Sequence, residues 1–529
     1  MSAARRARAA PDPARLEVFH HLLSALCEES GALLQRSAIS PNIRERRDFS
    51  VALFDGAGRL VAQAAHIPVH LGSAGDSVAA VRAAMTLEPG DVVLLNDPFA
   101  GGTHLPDLTM VRPIFIGGRA APDYFAVCRA HHADVGGATP GSMGVATELL
   151  AEGLVIPPVR IRSGGAPVDD VLRIFGANVR GADERLVDLQ AQESCLLMVE
   201  RRLAALCAEH GAEVVAAYAA HLMDYAERLV RAMLAEAPRR VHRAQDHLED
   251  DGTGSGALPI LLRASTTERA LELDFRGTAA QARGSVNANP SIVRAAGVYA
   301  LRCLCPERLP TNEGLFRCLR IVTEPGSLLD PRPPAAVAAG NVETSQRLVD
   351  VVLRALAGAW PERIPAASAG TMSNLAIGGP LPGPARREFA FYETFPGGAG
   401  AGPDRDGASG VQTHMTNTAN TPIEEYERRY PLRVTQWSLR RGSGGRGRHR
   451  GGDGVAKEIE ALAPVSVSLL AERHTAGPQG LAGGGAGRPG RAWLVRRGRR
   501  TRLPAKGTVW LEPGDRVLVH TPGGGGYGA

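Results

Sequence analysis

Residues 183–237 constrain the chain more than any other stretch. Leu186, Leu189, Leu196, Leu203 and Leu206 share one helical face, Gly211 interrupts, and Tyr218, Leu222, Tyr225 and Leu229 resume before Pro238 ends the run. An apolar stripe at helical spacing has to be buried against a partner layer. Upstream, Pro11 and Pro13 precede a second helical pattern (Leu16, Phe19, Leu23, Leu26, Leu33), and Phe49, Val51 and Leu53 alternate like a strand before the Asp55-Gly56 turn. Downstream of residue 250 the texture changes to short strands and turns, with Leu271, Leu273 and Phe275 alternating and a further helical stretch over 343–358. The pattern predicts a mixed, α+β, multi-domain protein with a helical segment in the middle and a strand- and turn-rich C-terminal half. The expected parts are a disordered tail (1–12), an α/β domain (13–180), a helical region (181–245), a mixed α/β domain (246–375) and a glycine-rich, β-containing region (376–529).

Composition narrows the class. A content of 44% hydrophobic and 22% charged residues is that of an ordinary globular protein. No apolar run reaches the roughly 20 residues of a membrane helix, and the basic start Met1 to Arg8 lacks the apolar core of a secretory signal. The arginines behind the net charge of +5 are spread along the chain. The clusters Arg440 to Arg450 and Arg496 to Arg502 come with no aromatic platform, so they read as solvated loops and not as a nucleic-acid site. Nothing in the seven scattered cysteines argues for disulfides, and a reducing cytoplasm fits best, with Cys303 and Cys305 read as small core residues of a strand. Gly397 to Gly402 and Gly523 to Gly528 lack a following Lys-Ser/Thr and read as tight turns, not phosphate loops.

Two dense clusters carry the chemistry. The first runs from Asn96-Asp97-Pro98 to His104-Leu105-Pro106-Asp107, the second is His131-His132-Ala133-Asp134-Val135-Gly136-Gly137, and an apolar, strand-like run leads into each. Imidazoles and carboxylates gathered where strands meet glycine turns suit a divalent metal. On a turn, the spacing of three puts His104 and Asp107 on one side. In an extended segment His132 and Asp134 point one way and His131 the other, so one histidine is a ligand and its neighbour supports the site. Asp97, where a strand ends, would ligate or orient a histidine. A mixed oxygen/nitrogen set suits Mn²⁺, Fe²⁺ or Zn²⁺. In His66-Ile67-Pro68-Val69-His70 the proline argues against a helix, leaving His66 and His70 as pocket residues. Asp274, Asn287, Asn341, Glu343 and Glu393 lie in glycine-flanked segments that look like pocket loops. No Gly-x-Ser-x-Gly elbow is present.

At these residues the chain resembles the hydantoinase B/oxoprolinase family, which includes the B subunit of ATP-dependent N-methylhydantoinases, the C-terminal part of 5-oxoprolinases and the alpha-type subunit of acetone carboxylases. The resemblance runs through Ser40 to Ser50, His66 to Gly72, both clusters, Pro140 to Met143, Glu152 to Pro158, Asn341 to Ser345, Gly444 to Gly447 and Pro522 to Gly528. It implies an ATP-binding A-type partner subunit, which phosphorylates a carbonyl or lactam oxygen, and a hetero-oligomer in which this chain completes the reaction by hydrolysing a cyclic amide (hydantoin, N-methylhydantoin or 5-oxoproline). The alternatives it implies are a subunit of an ATP-dependent ketone carboxylase and a non-catalytic partner that stabilises the ATPase. Under this reading His104, Asp107, His132 and Asp134 hold the metal, His131 and Asp97 do the catalytic proton and orienting work, and His66, His70, Asn341 and Glu343 line the substrate pocket. Two departures from the family pattern, at Arg276 to Thr278 and at Gly442, make an altered substrate an expectation if those loops line the pocket.

Overall fold

The computed structural model describes residues 11–306, 308–382 and 387–529, so the first ten residues of the expected tail lie outside the described residues. The chain mixes helix and sheet in several layers, as its patterning predicts. The first sheet is built from β1 (Phe49–Asp55), β2 (Leu60–Gln63), β3 (Val92–Leu95), β4 (Asp107–Ile114), β5 (Tyr124–His131), β6 (Val159–Ser163) and β7 (Ala166–Pro167). They lie in the order β2-β1-β5-β4-β3-β6-β7, every neighbouring pair antiparallel.

The alternation of side chains across a strand divides this sheet between two layers. Ala126, Cys128 and Ala130 of β5 join Leu108 and Met110 of β4 in a core with the long helices Pro13–Ser37, Ala182–His210 and Ala212–Ala235. Phe125 and Val127 join Val111 and Val93 on the opposite face, against Ala74, Val78 and Val81 of the helix Ala74–Ala84. The helical run of the sequence is two helices, broken at Gly211 (φ 88°) as the glycine signals.

Three further sheets follow. Val241–Leu248, Leu258–Thr266, Leu271–Asp274 and Leu319–Val322 form one that packs with the helices Pro290–Leu304 and Ser345–Leu356. Strands Asn374–Pro380, Glu388–Thr394, Val465–Leu470 and Lys506–Leu511 form the next. Its apolar face shares a core (Leu375, Ile377, Phe391, Val467) with a last five-stranded sheet that includes Val455–Ala461 and Arg516–His520. Among the described residues no helix is long and apolar enough to cross a membrane.

Three local expectations are corrected. Pro68 does not exclude a helix: it is the first residue of the turn Pro68–Leu71, where its missing N–H costs nothing. Cys303 and Cys305 sit at the end of a helix, not on a strand, with Cys303 exposed and Cys305 half-buried. The glycine runs are not tight turns but threads packed backbone against backbone. Gly524 donates to Gly452 at 2.9 Å and Gly526 to Gly485 at 2.9 Å. A Cβ on Gly524 would lie 2.0 Å from the Ala399 oxygen, and one on Gly400 1.8 Å from that of Ala366. Gly524→Ala is therefore expected to destabilise by about 1–3 kcal/mol or more through overpacking. Gly75→Ala, whose Cβ would meet only Phe54 at 3.6 Å in a helix, should be neutral or stabilising by up to about 1 kcal/mol. Urea-unfolding midpoints of the two variants check the contrast.

Candidate metal and catalytic centre

Asp107 opens β4 and is the register partner of His131, the last residue of β5. His131 Nδ1 lies 3.2 Å from Asp107 Oδ1. His104 sits in the turn that feeds β4, where the Asp107 amide donates to its carbonyl at 3.2 Å, and its Nε2 approaches the same Oδ1 to 3.0 Å. His70, on the turn begun by Pro68, brings Nε2 to 3.2 Å from Oδ2. Thr103 Oγ1 donates to Oδ2 at 3.2 Å and Asn341 Nδ2 at 3.4 Å. A buried carboxylate needs hydrogen-bonding or charged partners, and here they come from the segments around residues 70, 104, 131 and 341. Exposure of His70, His104, Asp107 and His131 does not exceed 3%.

Surrounding groups set the rings. The Ala338 carbonyl can only accept, so the contact at 3.3 Å places a proton on His104 Nδ1 and turns Nε2 towards Asp107. The same segment is tied on its amide side by Glu152, which accepts from the Val337 and Ala338 amides at 3.0 and 2.9 Å. Burial by itself would raise the Asp107 pKa, but the His104 and His70 imidazoles overcome it and hold the carboxyl well below its ordinary range. Burial lowers the pKa of His131, against its hydrogen bond to Asp107. An anionic Asp107 beside a neutral His131 is the protonation state in which such groups coordinate a cation.

The donor set fits a divalent ion. His104 Nε2, His131 Nε2 and Asn341 Oδ1 are buried without a hydrogen-bond partner, the 3.0 Å approach of His104 to Asp107 lacking hydrogen-bond geometry. Ligand atoms of His104, Asp107 and His131 lie within 4.8 Å of one another, the one such group among the described residues. Two imidazoles and a carboxylate suit Mn²⁺, Fe²⁺ or Zn²⁺, with no thiolate in the set.

The second cluster divides between two places. His131 shares its sheet face with Arg129 and Val127, opposite Asp107, whereas His132 turns to the helical layer and meets Gln192 Oε1 at 2.9 Å. Asp134 accepts from the amides of Gly136 (2.8 Å), Gly141 (2.9 Å) and Arg180 (2.9 Å) and from the Arg180 guanidinium (3.1 Å). Its lone pairs are engaged in holding a glycine loop. The ligand set read from the sequence, with His132 and Asp134 in it, is thus replaced in space by one with His131. Asp97 is a turn former that accepts from the Phe99 amide at 2.9 Å. His66 packs on Phe49 and accepts from the Val51 amide at 3.2 Å, away from the centre, while its sequence partner His70 belongs to it.

Asn341 reaches Asp107, and Glu343 stands one layer behind, accepting from Asn374 at 2.7 Å. Of the other pocket candidates, Asp274 pairs with Arg276, Asn287 ties its own loop, and Glu393 pairs with Lys457. Neither departure from the family pattern touches the centre: Arg276 lines an open cleft with Arg243 and Arg354, and a Cβ added to Gly442 would have nothing within 4 Å. Sequence reasoning missed Thr103, which stood inside the first cluster, and Tyr392, whose ring stacks on His131 at 4.5 Å and has no local signal.

The model of the family described as hydantoinase B/oxoprolinase matches residues 12–529. The chain is 38% identical to 5-oxoprolinase 1 of Arabidopsis thaliana over 98% of its own length but 42% of that relative, so it spans about two fifths of the 5-oxoprolinases it matches. It is 31% identical to the caprolactamase subunit beta of Pseudomonas jessenii, covering 98% of this chain and 91% of that one. Among solved structures, ATP-dependent caprolactamase from Pseudomonas jessenii superposes with a TM-score of 0.91 at 29% identity, covering 98% of this chain and 92% of that one. Nucleotide-free acetone carboxylase superposes with a TM-score of 0.89 at 17% identity, over 100% and 76% of the two chains, which shows a common fold.

Metal content tests the placement. His104→Ala, Asp107→Asn and His131→Ala are each expected to lower the divalent metal bound per folded chain at least about tenfold. His132→Gln, on the helical side of the sheet, should leave it unchanged. Elemental analysis of the purified full-length variants distinguishes the two histidines, and equal losses in both would remove His131 from its place.

Proposed function

The chain belongs to the hydantoinase B/oxoprolinase family, and from that premise we propose that it is the B-type catalytic subunit of an ATP-dependent cyclic-amide hydrolase, working with a separate ATP-binding A-type subunit. The observation that carries the reading is the buried Asp107 carboxylate with three imidazoles on it. Its support comes from relatives named 5-oxoprolinase and caprolactamase subunit beta, both of which match 98% of this chain. The two-chain arrangement rests on the likeness to a relative named as a subunit, caprolactamase subunit beta, 91% of which the chain covers.

In this reading His104, Asp107 and His131 hold the divalent ion, which supplies Lewis acidity towards water or a developing oxyanion. The Ala338 carbonyl holds the Nδ1 proton of His104, which leaves Nε2 as the ring atom turned to the site. His70, hydrogen-bonded to Ser50 Oγ at 2.9 Å and with Nε2 3.2 Å from Asp107 Oδ2, is the group placed to move a proton at the edge of the centre. Asn341, with its amide oxygen unpartnered and its nitrogen on Asp107, is placed to orient a substrate N–H. Burial of every one of these groups excludes bulk water, which strengthens each polar contact. A phosphorylated lactam or hydantoin, delivered by the partner, is the substrate class that this hydrolytic site suits.

A ketone-carboxylase subunit is the second reading, favoured by the shared fold with acetone carboxylase. The complex with the A-type partner separates the possibilities when hydantoin, 5-oxoproline, caprolactam, and acetone with bicarbonate are each assayed for product and for ATP hydrolysis. Asp107→Ala is expected to abolish product formation while the partner's substrate-dependent ATP hydrolysis persists. Unchanged product formation in Asp107→Ala would reduce this chain to a stabilising partner, and turnover of acetone alone would select the carboxylase.

A further inference from the structure

We infer that the π-helical turn Gly340–Thr344 is the positioning element of the Asp107 centre, holding Asp107 through Asn341 and the ring of His131 through Glu343, Asn374 and Tyr392. The inference rests on the metal-site reading above and goes beyond it, because none of these four residues is a ligand. A π turn is a rare irregularity that concentrates at functional sites, and here it opens the helix Ser345–Leu356. Its start is wedged in place. A Cβ on Gly340 would lie 1.8 Å from the Asn287 oxygen, and Asn287 itself is clamped by the carbonyls of Ala282, Gly284 and Ala336 at 3.0, 3.0 and 2.9 Å. Ser345 Oγ donates to the Asn341 carbonyl at 2.7 Å, satisfying a backbone group of the distorted turn.

From this turn two arms reach the centre. Asn341 Nδ2 donates to Asp107 Oδ2 at 3.4 Å. Glu343, fully buried, accepts through Oε1 from the Met372 amide at 3.0 Å and from Asn374 Nδ2 at 2.7 Å. Asn374 Nδ2 also donates to the Leu470 carbonyl at 2.9 Å, which fixes the amide orientation and leaves Oδ1 as an acceptor. The Tyr392 hydroxyl therefore donates to it, at 2.6 Å. With its hydroxyl tied, the Tyr392 ring stacks on His131 (4.5 Å, 19° between planes), while the Arg46 guanidinium lies 5.0 Å over that ring and donates to the Tyr392 carbonyl at 3.2 Å. The ring plane of His131 is thus set by a line of contacts that begins at Glu343, within the turn that the Gly340 wedge anchors. Burial pushes the Glu343 pKa up to about 8, so what the line uses at neutral pH is an uncharged acceptor, which an amide reproduces.

The test is metal affinity of the full-length chain, with Mn²⁺, Fe²⁺ and Zn²⁺ each titrated by calorimetry and the bound Mn²⁺ followed by electron paramagnetic resonance. Glu343→Ala and Asn374→Ala are expected to weaken binding about 10–100-fold, the usual effect of removing an outer partner of a ligand, and to broaden the Mn²⁺ spectrum. Glu343→Gln should restore both to near wild type. A merely structural role would lower the melting temperature of Glu343→Ala yet leave the affinity and spectrum of the folded chain unmoved, and that result overturns the inference while the metal reading stands. Glu343→Gln as weak as Glu343→Ala would overturn it as well. A wild-type chain that binds none of the three ions overturns the metal reading, and this inference with it.

Discussion

A carboxylate buried away from bulk solvent is the constraint on which this structure turns. Asp107 is 1% exposed and anionic, and an ionised group in that setting costs several kcal/mol unless neighbours compensate. Those neighbours cannot come from one segment, because a single turn presents too few donors to both oxygens. The chain meets the demand with His104 and Thr103 from the turn before β4, His131 from the paired strand, His70 from a turn begun by Pro68, and Asn341 from the start of a helix more than two hundred residues later. The first sheet, the short helices on one side of it and the helix Ser345–Leu356 therefore meet at one atom group. The fold around the centre follows from satisfying it.

What the sequence made legible, and what it left hidden, divides along the range of the interaction. The helices on either side of Gly211, the strand Phe49 to Asp55, the turn that joins His104 to Asp107 and the opposite directions of His131 and His132 are local matters, and periodicity and spacing reveal them. The choice between His131 and His132 is not local. Alternation says only that they face apart; which face holds Asp107 depends on the register of β4 against β5 and on which layer covers each side. The same limit hid the work of Asp134, since the Gly141 and Arg180 amides that saturate it lie beyond the cluster. Tyr392 had no chance of being found, for its partner His131 is remote in sequence and a buried tyrosine reads as core.

Glycine was misread for a related reason. Loop glycines ordinarily signal turns through a positive φ, yet Gly524, Gly526 and Gly400 are needed because another backbone passes within hydrogen-bond distance and leaves no room for a methyl group. That requirement is set by a partner strand far along the chain. It explains why so much glycine gathers in the C-terminal part without producing a flexible region: Gly398, Gly452, Gly524 and Gly526 are tied amide to carbonyl at 2.9–3.0 Å.

These two peculiarities, the remote aromatic on His131 and the glycine threads, are parts of one arrangement. Tyr392 stands on the strand Glu388–Thr394, which runs directly into the threads at Gly397 and Gly398, and Asn374 stands on the strand beside it. A ring that is to fix the plane of His131 must itself be held within about half an ångström, and a surface loop would not hold it. Backbone threads packed without side chains between them have little room to shift, because no rotamer can change. The close packing of the C-terminal sheets is thus what lets Tyr392, so distant in sequence, hold its place against His131 beside the Asp107 centre.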